Sequence, residues 1–323
     1  MSNSTTKDPV QLFADHRSLL FAVAYEMLGS AADAEDVVQE VWVRWADALT
    51  NFNARAQSDP HPAEPNIGAQ TDPHPAESNA KAESIRHPRA FLVQITTRLA
   101  LNRLRTLARQ REDYIGPWLP EPLLSVPDVV DDVLLAESIS LAMLVVLESL
   151  APPERAVFVL REVFGYDYDE IAAAVDRTPA AVRQIAHRAR GHVQARRPRF
   201  EANPETVTAV MAGFQQALFS GDIQGLMDLM APDVVLLADG GGKRKAARRP
   251  ILGAVKVAHF LLGVSKKAGG EVRVDRVQVN GAAAWAVYLG GEIYGVVQLV
   301  VGDGLIEQVL LVVNPDKLTA FSV

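Results

Sequence analysis

The chain has 323 residues, of which 49% are hydrophobic and 22% are charged, and its formal net charge is −7. This composition is typical of a globular protein with two or three cores, and it excludes a wholly disordered chain. Cysteine is absent, which excludes disulfides, thiolate catalysis and cysteine-ligated zinc. The acidic balance argues against a general nucleic-acid coat, although local basic patches are what a specific DNA reader needs.

The N-terminal sequence MSNSTTKDPV lacks the basic-then-apolar pattern of an export signal. No apolar run in the chain is long enough to span a bilayer. We therefore expect a cytoplasmic protein.

Residues 10–48 predict two helices separated by Gly29-Ser30, the first over residues 10–27. The second begins on a serine cap with acids in its first turn, and apolar residues recur along one side. These apolar residues are Val37, Val38, Val41, Trp42 and Trp45. The polar side carries Asp33, Glu35, Asp36, Gln39 and Glu40. Such a side is more often a solvated surface, and the sharper hypothesis is a docking surface for a basic partner.

Residues 50–84 predict a disordered insertion. The hexapeptide DPHPAE occurs at residues 59–64 and again at 72–77, in a segment rich in Pro, Asn, Ala and Ser that cannot bury a core. His61 and His74 stand one in each copy, which is a poor ligand set, so no metal site is predicted.

A long basic helix is predicted after His87-Pro88, with arginines at seven positions from 86 to 111 and no acid before Glu112. Arginines on one helix can neutralise phosphates, and the aromatic groups near its start can stack on an unpaired base. The candidate nucleic-acid contacts are His87, Arg89, Phe91, Arg98, Asn102, Arg103 and Arg105. Taken alone, the pattern fits solvated surface equally well.

The stretch at residues 166–193 predicts a helix-turn-helix. Asp167 and Glu170 form a helix-start signature, and the first helix ends at Asp176-Arg177. Asp176 stands where such turns usually carry glycine, and Asp tolerates left-handed geometry better than most residues. Thr178 is a suitable N-cap for the second helix, whose buried side continues through Val182 and Ile185.

The second of these helices has a cationic outer side. From residue 177 to 199 there are seven arginines and no acid, and arginine or glutamine in a major groove can pair with guanine or adenine edges. The candidate DNA contacts are Thr178, Ala180, Ala181, Arg183, Gln184, His187, Arg188 and Arg190. An ordinary helical hairpin with a solvated basic surface is the alternative.

Three blocks together resemble the two-domain extracytoplasmic-function sigma factors of bacterial RNA polymerase: DAEDVVQEVWVRW, HPRAFLVQITTRLALNRLR and LAPPERAVFVLREVFGYDYDEIAAAV. The segments YIGPWLPEP, DGGGK and NPDKL are similar to the SigJ-like subgroup, which carries a SnoaL-like C-terminal domain. The resemblance implies a multidomain chain with two all-α sigma domains, the second with the helix-turn-helix, followed by an α+β SnoaL-like, NTF2-like cone. The expected boundaries are 8–112 for sigma region 2, 113–136 for a linker, 137–199 for sigma region 4 and 204–321 for the C-terminal domain.

The resemblance also implies partners, which are core RNA polymerase and promoter DNA. The helix with Asp33 and Glu40 would bind polymerase, the helix at 89–111 would open the promoter element nearest the start site, and the helix at 178–190 would read the upstream element. An acidic linker with Glu121, Asp128, Asp131 and Asp132 would pass through the polymerase. The duplicated insertion departs from the family pattern.

Beyond residue 203 the pattern predicts helices at 205–220, 223–230 and 254–267 and a strand at 233–238. Four further strands are expected near 271–279, 282–289, 293–301 and 305–313, with hairpin turns at Asn280-Gly281 and Asp303-Gly304. Helices followed by a curved antiparallel sheet agree with the cone fold. The titratable candidates for acid/base chemistry are Asp222, Asp239, His259, Tyr288 and Tyr294, and their spacing defines no known constellation. We therefore predict no enzyme activity and no cofactor, and leave open a small-molecule ligand of the pocket.

The alternative to catalysis is a regulatory role for the C-terminal domain. Gly240 to Gly242 are followed by a basic cluster, Lys243, Arg244, Lys245, Arg248 and Arg249, which could meet the acidic linker or the first-domain acids, or be merely solvated. In the family this domain is thought to tune sigma activity. The predicted interdomain residues are Trp118, Pro120, Asp239, Gly240, Gly241, Gly242, Lys243, Asn314, Pro315, Asp316, Lys317 and Leu318.

The sequence therefore predicts a sigma factor that directs promoter-specific initiation and is regulated by its own C-terminal domain. The alternatives are a one-component regulator in which a ligand-sensing domain controls a DNA-binding half, and a sigma factor whose last domain is a small-molecule enzyme. Only a sigma factor needs both the acidic helix and the melting helix before its helix-turn-helix, and both are present.

Overall fold

The computed structural model describes residues 9–58, 87–125, 139–196, 203–267 and 271–321. Within these ranges, no helix combines the length and apolar character needed to cross a bilayer. Both DPHPAE copies, His61, His74 and the linker acids Asp128, Asp131 and Asp132 lie outside the described residues.

The first helical domain contains α1 (Pro9–Ala14), α2 (Arg17–Leu28), α3 (Ala31–Ser58) and α4 (Pro88–Glu112). The predicted single helix at 10–27 is wrong, because the chain turns between α1 and α2, where His16 N–H bonds to Phe13 O at 3.0 Å, three residues back. Helix α2 ends at Gly29, whose φ of 68° is left-handed. Helix α3 continues through residues 50–58, which we had predicted to be disordered, because no proline interrupts it before Pro60.

The second helical domain contains α5 (Leu141–Leu147), α6 (Pro152–Phe158), a π-helical turn (Val159–Val163), α7 (Tyr168–Val175) and α8 (Pro179–Arg196). The predicted capping box of Asp167 and Glu170 is present at the start of α7. Asp176 ends α7 with a φ of 55°, as its place in the turn predicts. Val182 and Ile185 are buried in the core, so α8 presents its other side to solvent.

One apolar cluster runs through both helical domains. It extends from Leu20 and Trp45 through Leu92 and Leu104 to Leu160, Ile171 and Val182. The two domains are therefore packed against each other, with α4 between α2 and α7.

The C-terminal domain begins with α9 (Pro204–Ser220) and α10 (Ile223–Asp228), followed by β1 (Met230–Asp239), β2 (Ile251–Leu252) and α11 (Ala254–Lys267). Strands β3 (Val272–Val279), β4 (Ala282–Leu289), β5 (Glu292–Gly302) and β6 (Leu305–Val312) complete it. The α+β class is confirmed. Met230, which we had placed in a helix, begins β1, and the short β2 was not predicted.

The sheet has the order β2-β1-β6-β5-β4-β3. The antiparallel prediction is wrong at one pair, since β1 and β6 are parallel, because the chain crosses over through α11 and β3 to β5 before β6 returns beside β1. Both predicted hairpin turns are present, with φ of 50° at Asn280 and 49° at Asp303, each followed by a left-handed glycine.

The two sides of this sheet pack against different partners. Side chains alternate along a strand, so Trp285 and Val309 belong to the core with α9 and α11, whereas Ala284, Ala286 and Leu310 face the other way. That second side shares an apolar cluster with Leu119 of the linker and Leu141 of α5. The sheet thus lies between its own helices and the sigma domains.

Candidate nucleic-acid surfaces and the interdomain clamp

The outer side of α8 carries most of the predicted upstream-element residues. Thr178 Oγ accepts a hydrogen bond from Ala181 N at 3.3 Å and caps the helix start. Thr178, Ala180, Arg183, Gln184, His187 and Arg188 are exposed, and Ala181 is half-buried. Arg183 and Gln184 stand close together near the N-terminal end of α8, where a recognition helix contacts base edges.

Arg190 differs from the other residues of this set. Its Nε donates to Glu162 Oε1 at 2.8 Å and its Nη2 donates to Tyr168 Oη at 2.8 Å. Arg190 therefore ties α8 to the preceding elements of its own domain. Arg188 makes a looser pair with Glu154, at 3.7 Å, and remains exposed.

The predicted melting residues line the outer side of α4. His87, Arg89, Arg98, Asn102, Arg103 and Arg105 are exposed, and Phe91 is half-buried against Trp45. Two side chains of α4 bind the helix-turn-helix directly: Gln94 Nε2 and Arg98 Nη2 donate to Ala173 O at 2.9 and 3.0 Å. His87, Phe91, Tyr166 and Ile171 line one cleft at this junction.

The acidic side of α3 is partly occupied within the chain. Asp33 accepts from Arg103 Nε of α4 at 2.7 Å, and Asp36 lies 3.7 Å from the same guanidinium group. Glu35 pairs with Arg17 at 2.6 Å and Glu40 pairs with Arg44 at 2.6 Å. Gln39 is exposed. The structure thus brings a predicted polymerase contact and a predicted DNA contact together.

Asp239, at the end of β1, is the centre of the contact between the C-terminal domain and the linker. Its carboxylate is fully buried and accepts four hydrogen bonds. The donors are Tyr114 Oη at 2.6 Å, Gly241 N at 3.0 Å, Leu119 N at 2.9 Å and Lys317 Nζ at 2.8 Å. We call the buried contacts among YIGPWLPEP, DGGGK and NPDKL the clamp.

Lys317 is the cation of the clamp. Its Nζ also donates to Leu119 O and lies 3.9 Å from the centre of the Trp118 ring. Burial lowers the pKa of Lys317, and the negative charge of Asp239 opposes that shift. Burial, together with the hydrogen bond to Asp239, raises the pKa of Tyr114.

The remaining predicted interdomain residues support these contacts. Asn314 donates from Nδ2 to Tyr114 Oη at 2.9 Å, and Gly241 has a φ of 57° with no room for a Cβ beside Asn314. Gly242 lies against Ile115, and Leu318 is buried in the cluster with Leu119. Gly240 and Pro120 are buried, Pro315 is half-buried, and Lys243 and Asp316 form an exposed pair.

Family models and a whole-length relative place the chain. The model for Sigma-70 region 2 matches residues 12–59, and the model for Sigma-70, region 4 matches residues 140–193. The ECF RNA polymerase sigma factor SigJ of Mycobacterium tuberculosis H37Rv is 32% identical, over 96% of this chain and 93% of its own length. The chain belongs to the extracytoplasmic-function sigma factors. The predicted family is confirmed, and the protein therefore acts in transcription initiation with RNA polymerase and promoter DNA.

Further similarities agree with this assignment of the sigma factor. The probable ECF RNA polymerase sigma factor SigI of the same organism is 28% identical, over 96% of this chain and 95% of its own length. The crystal structure of Mycobacterium tuberculosis SigJ has a TM-score of 0.69 with 30% identity, and covers 96% of this chain and 98% of that one.

A second contact in the sigma factor was not predicted as a site. Asn280, in the β3–β4 turn, donates from Nδ2 to Tyr25 Oη of α2 at 2.8 Å and accepts from Leu123 N at 3.1 Å. Tyr25 Oη in turn donates to Glu121 O at 2.6 Å. The sequence signal Asn-Gly was read only as a turn, and nothing in it points to Tyr25.

Glu121, which we expect to pass through the polymerase as part of the acidic linker, contacts α3 in the free chain. It is buried, and its Oε2 accepts a hydrogen bond from Ala31 N at 2.7 Å at the start of α3. Burial raises the pKa of Glu121, and hydrogen bonds from the backbone of Ala31 and Ala32 oppose the rise. In this conformation Glu121 serves as a cap for α3, because the unpaired N–H groups of a helix start attract a carboxylate.

A charged group that links the two sigma domains was also missed. Glu148, after α5, pairs with both Arg111 of α4 and the buried Arg155 of α6. The Arg111 guanidinium stacks on the Trp118 ring, with 3.6 Å to its centre. The linker thus touches the cation that joins the two domains.

The enzyme candidates do not converge on one site. Asp239 is enclosed by the clamp, Asp222 caps α10 by accepting from Gly225 N at 2.9 Å, and Tyr288 faces the linker side of the sheet. His259 is exposed on α11 because the apolar side of that helix is formed by Val257, Ala258, Leu261 and Leu262. Among the described residues, no three acids, histidines or cysteines cluster as a metal site would require.

The basic cluster after Gly242 contacts its own domain and solvent within the described residues. Lys243 pairs with Asp316 of its own domain, and Arg244 donates to the backbone oxygens of Ile293 and Tyr294. Lys245, Arg248 and Arg249 are exposed. None of the described first-domain acids is the partner of Lys243 or Arg244 in these contacts.

Proposed function

We propose that the C-terminal domain holds this sigma factor in a closed form through the clamp, and that the sigma domains engage polymerase and promoter once the clamp opens. The observation that carries the proposal is the burial of Asp239 with donors from all three clamp segments. A buried carboxylate with four donors favours one arrangement of the chain, since each lost donor leaves a desolvated charge. In this form the domain has no catalytic role.

The division of labour among the sigma surfaces is part of the proposal. Helix α8 reads the upstream element through Arg183 and Gln184, and α4 engages the element nearest the start site through its exposed arginines. The acidic side of α3 binds polymerase. The assignment is supported by the matched region 2 and region 4 models and by the exposure of Arg183 and Gln184 of α8, of the α4 arginines at 89, 98, 103 and 105, and of Asp36, Gln39 and Glu40 of α3.

The closed form conflicts with simultaneous use of these surfaces. Gln94 and Arg98 of α4 bind the carbonyl of Ala173 in the helix-turn-helix, so α4 and α7 are held against each other in this form. Two separate promoter elements require the two helices to lie apart along the duplex. His87 and Phe91, the residues suited to stack on an unpaired base, share a cleft with the helix-turn-helix.

Run-off transcription with purified core polymerase across a promoter library tests the proposal. The variant is Asp239→Asn, which keeps the side-chain shape and removes the charge that pairs with Lys317. We expect more transcript at limiting sigma factor and a larger radius of gyration in solution scattering. Asp233→Asn, an exposed change on the same strand, is the matched control and is expected to behave as the wild type.

The proposal is wrong if Asp239→Asn folds, stays as compact as the wild type and yields the same transcript. A failure to support any promoter-dependent transcription in the wild type and in both variants would instead count against the assigned polymerase and promoter roles.

A further inference from the structure

A cavity of about 340 Å³ lies between the sheet and helices α9 and α11, on the side away from the linker. Its volume falls in the range of small-molecule sites. The walls are aromatic and aliphatic and include Phe214, Phe260, Val274, Trp285, Val297 and Leu311. This cavity takes no part in the clamp or in the nucleic-acid surfaces.

Trp285 is one of the polar residues that line the cavity. The residue is only 3% exposed and its ring stacks on Phe214, with 5.6 Å between ring centres. Its indole Nε1 is buried and has no hydrogen-bond acceptor among the residues that the structure describes. A buried donor without a partner is destabilising, so an acceptor on a ligand that reaches this N–H from the cavity would bind favourably.

The other groups of the wall restrict the chemistry of the occupant. The polar side chains among the described lining residues, apart from Trp285, are Gln215, Ser265 and Tyr294, and none is a carboxylate, histidine, lysine or arginine. A charged ligand would therefore be desolvated there without a counter-charge. Phe219 is 61% exposed and Val272 is 41% exposed, and these two lining residues mark an apolar entrance.

The strands that line the cavity are also the strands that face the linker. Trp285 and Val287 face the cavity, and Ala284 and Ala286 between and beside them belong to the cluster with Leu119. The same alternation holds on β6, where Leu311 lines the cavity and Leu310 faces the linker side. A shift of these strands to accommodate a ligand therefore moves the surface that the linker packs on.

We propose that this cavity binds an uncharged, mainly apolar small molecule with one carbonyl-type acceptor for Trp285 Nε1, and that its occupancy shifts the clamp equilibrium. The binding part stands on the cavity alone. The coupling part rests on the proposed function.

The binding part is tested with the full chain and the neutral naphthalene ketone prodan, excited beyond tryptophan absorption. We expect saturable binding of one probe per chain with a blue-shifted emission. Val264→Phe and Leu218→Phe, which fill the cavity from α11 and α9, should each weaken binding at least tenfold. Leu252→Phe, an exposed change in the same domain, is the matched control and should leave it unchanged.

Trp285→Phe tests the acceptor. It keeps an aromatic side chain but removes the pyrrole ring with its N–H, so prodan affinity should fall several-fold and the emission should shift. Circular dichroism melting of each variant shows that it is folded. Absence of saturable binding, or equal affinity in folded cavity-filling variants and in Leu252→Phe, overturns the binding proposal and leaves the sigma function untouched.

The coupling part is tested by reciprocity, since a ligand that shifts the clamp must bind with altered affinity when the clamp is weakened. Asp239→Asn lies outside the cavity lining, and we expect it to change prodan affinity at least threefold relative to Asp233→Asn. Equal affinities, in an Asp239→Asn protein that scattering shows to be opened, overturn the coupling. If Asp239→Asn stays as compact as the wild type and yields the same transcript, the proposed function fails, and the coupling that rests on it fails as well.

Discussion

Replacing Lys317 by methionine should weaken the clamp strongly, because the change leaves Asp239 buried without its cation. Met retains the apolar stem beside Trp118 and removes only the ammonium group. Removing one partner of a buried pair costs about 3–5 kcal/mol. Asp239 keeps donors from Tyr114, Gly241 and Leu119, so we expect about 3 kcal/mol, which is roughly a hundredfold in the clamp equilibrium.

Amide hydrogen exchange of Leu119 measures this change, because its N–H donates to Asp239 Oδ2 at 2.9 Å and exchanges when the clamp opens. Protection in the segment at 114–125 should fall roughly a hundredfold in Lys317→Met. Lys243→Met is the matched control. Its pair with Asp316 is exposed, with more than half of each side chain accessible, and is worth at most about 1 kcal/mol.

The double variant Asp239→Asn with Lys317→Met decides whether the pair itself is responsible. If the two charges are coupled, the double variant should be closer to wild type than the sum of the two single changes. Strict additivity, or unchanged exchange at Leu119 in Lys317→Met, would refute the reasoning.

Three further predictions concern other parts of the chain. Asn280→Gly keeps the left-handed turn and removes the side chain bonded to Tyr25 and Leu123. The opening free energy measured by amide exchange at Leu123 should therefore fall by about 1–2 kcal/mol, whereas Asp303→Gly in the other hairpin should leave it unchanged. Burial raises the pKa of Glu26 to about 8, against opposing effects of the Ile139 N–H and Arg155. Above the ordinary pKa of a glutamate, the folded chain therefore keeps a proton on Glu26 that the unfolded chain has lost, and the free energy of unfolding should fall as the pH rises towards 8. In urea unfolding, Glu26→Gln should flatten this pH dependence, and Glu35→Gln should not. Arg183→Ala should cost about 1–3 kcal/mol in promoter binding measured by fluorescence anisotropy, with the melting temperature unchanged, whereas Arg190→Ala should lower the melting temperature by breaking its contacts to Glu162 and Tyr168.

Local patterns in the sequence were enough to predict the helix-turn-helix. The capping box at Asp167, the left-handed Asp176 and the buried Val182 depend on residues within one or two turns of each other, and all three are as predicted. The hairpin turns at Asn280 and Asp303 follow from local chemistry in the same way. The parallel β1–β6 pair does not, since it depends on which distant strands become neighbours.

Local sequence patterns do not predict the contacts of the clamp residues. Asp239 accepts a local hydrogen bond from Gly241 N, but its bonds to Leu119 and Tyr114 join segments more than 100 residues apart in sequence. Asn280 meets Tyr25 across a still longer separation. For Lys243 the sequence left open an acidic partner in the linker or first domain and a solvated side chain; in the structure it pairs with Asp316, which the 3₁₀ turn at 315–317 brings close. Burial and long-range partners of a polar residue have no local signature.

The cap that Glu121 provides for α3 has a consequence for the order of events at the polymerase. If the linker leaves this position to pass through the polymerase, Ala31 N loses its hydrogen bond to the Glu121 carboxylate. The first turn of α3, the helix that carries Asp33 and Glu40, is then exposed. Passage of the linker through the polymerase and binding of α3 to it would then be coupled. Binding of the first helical domain alone would already weaken the contacts between the linker and the C-terminal domain.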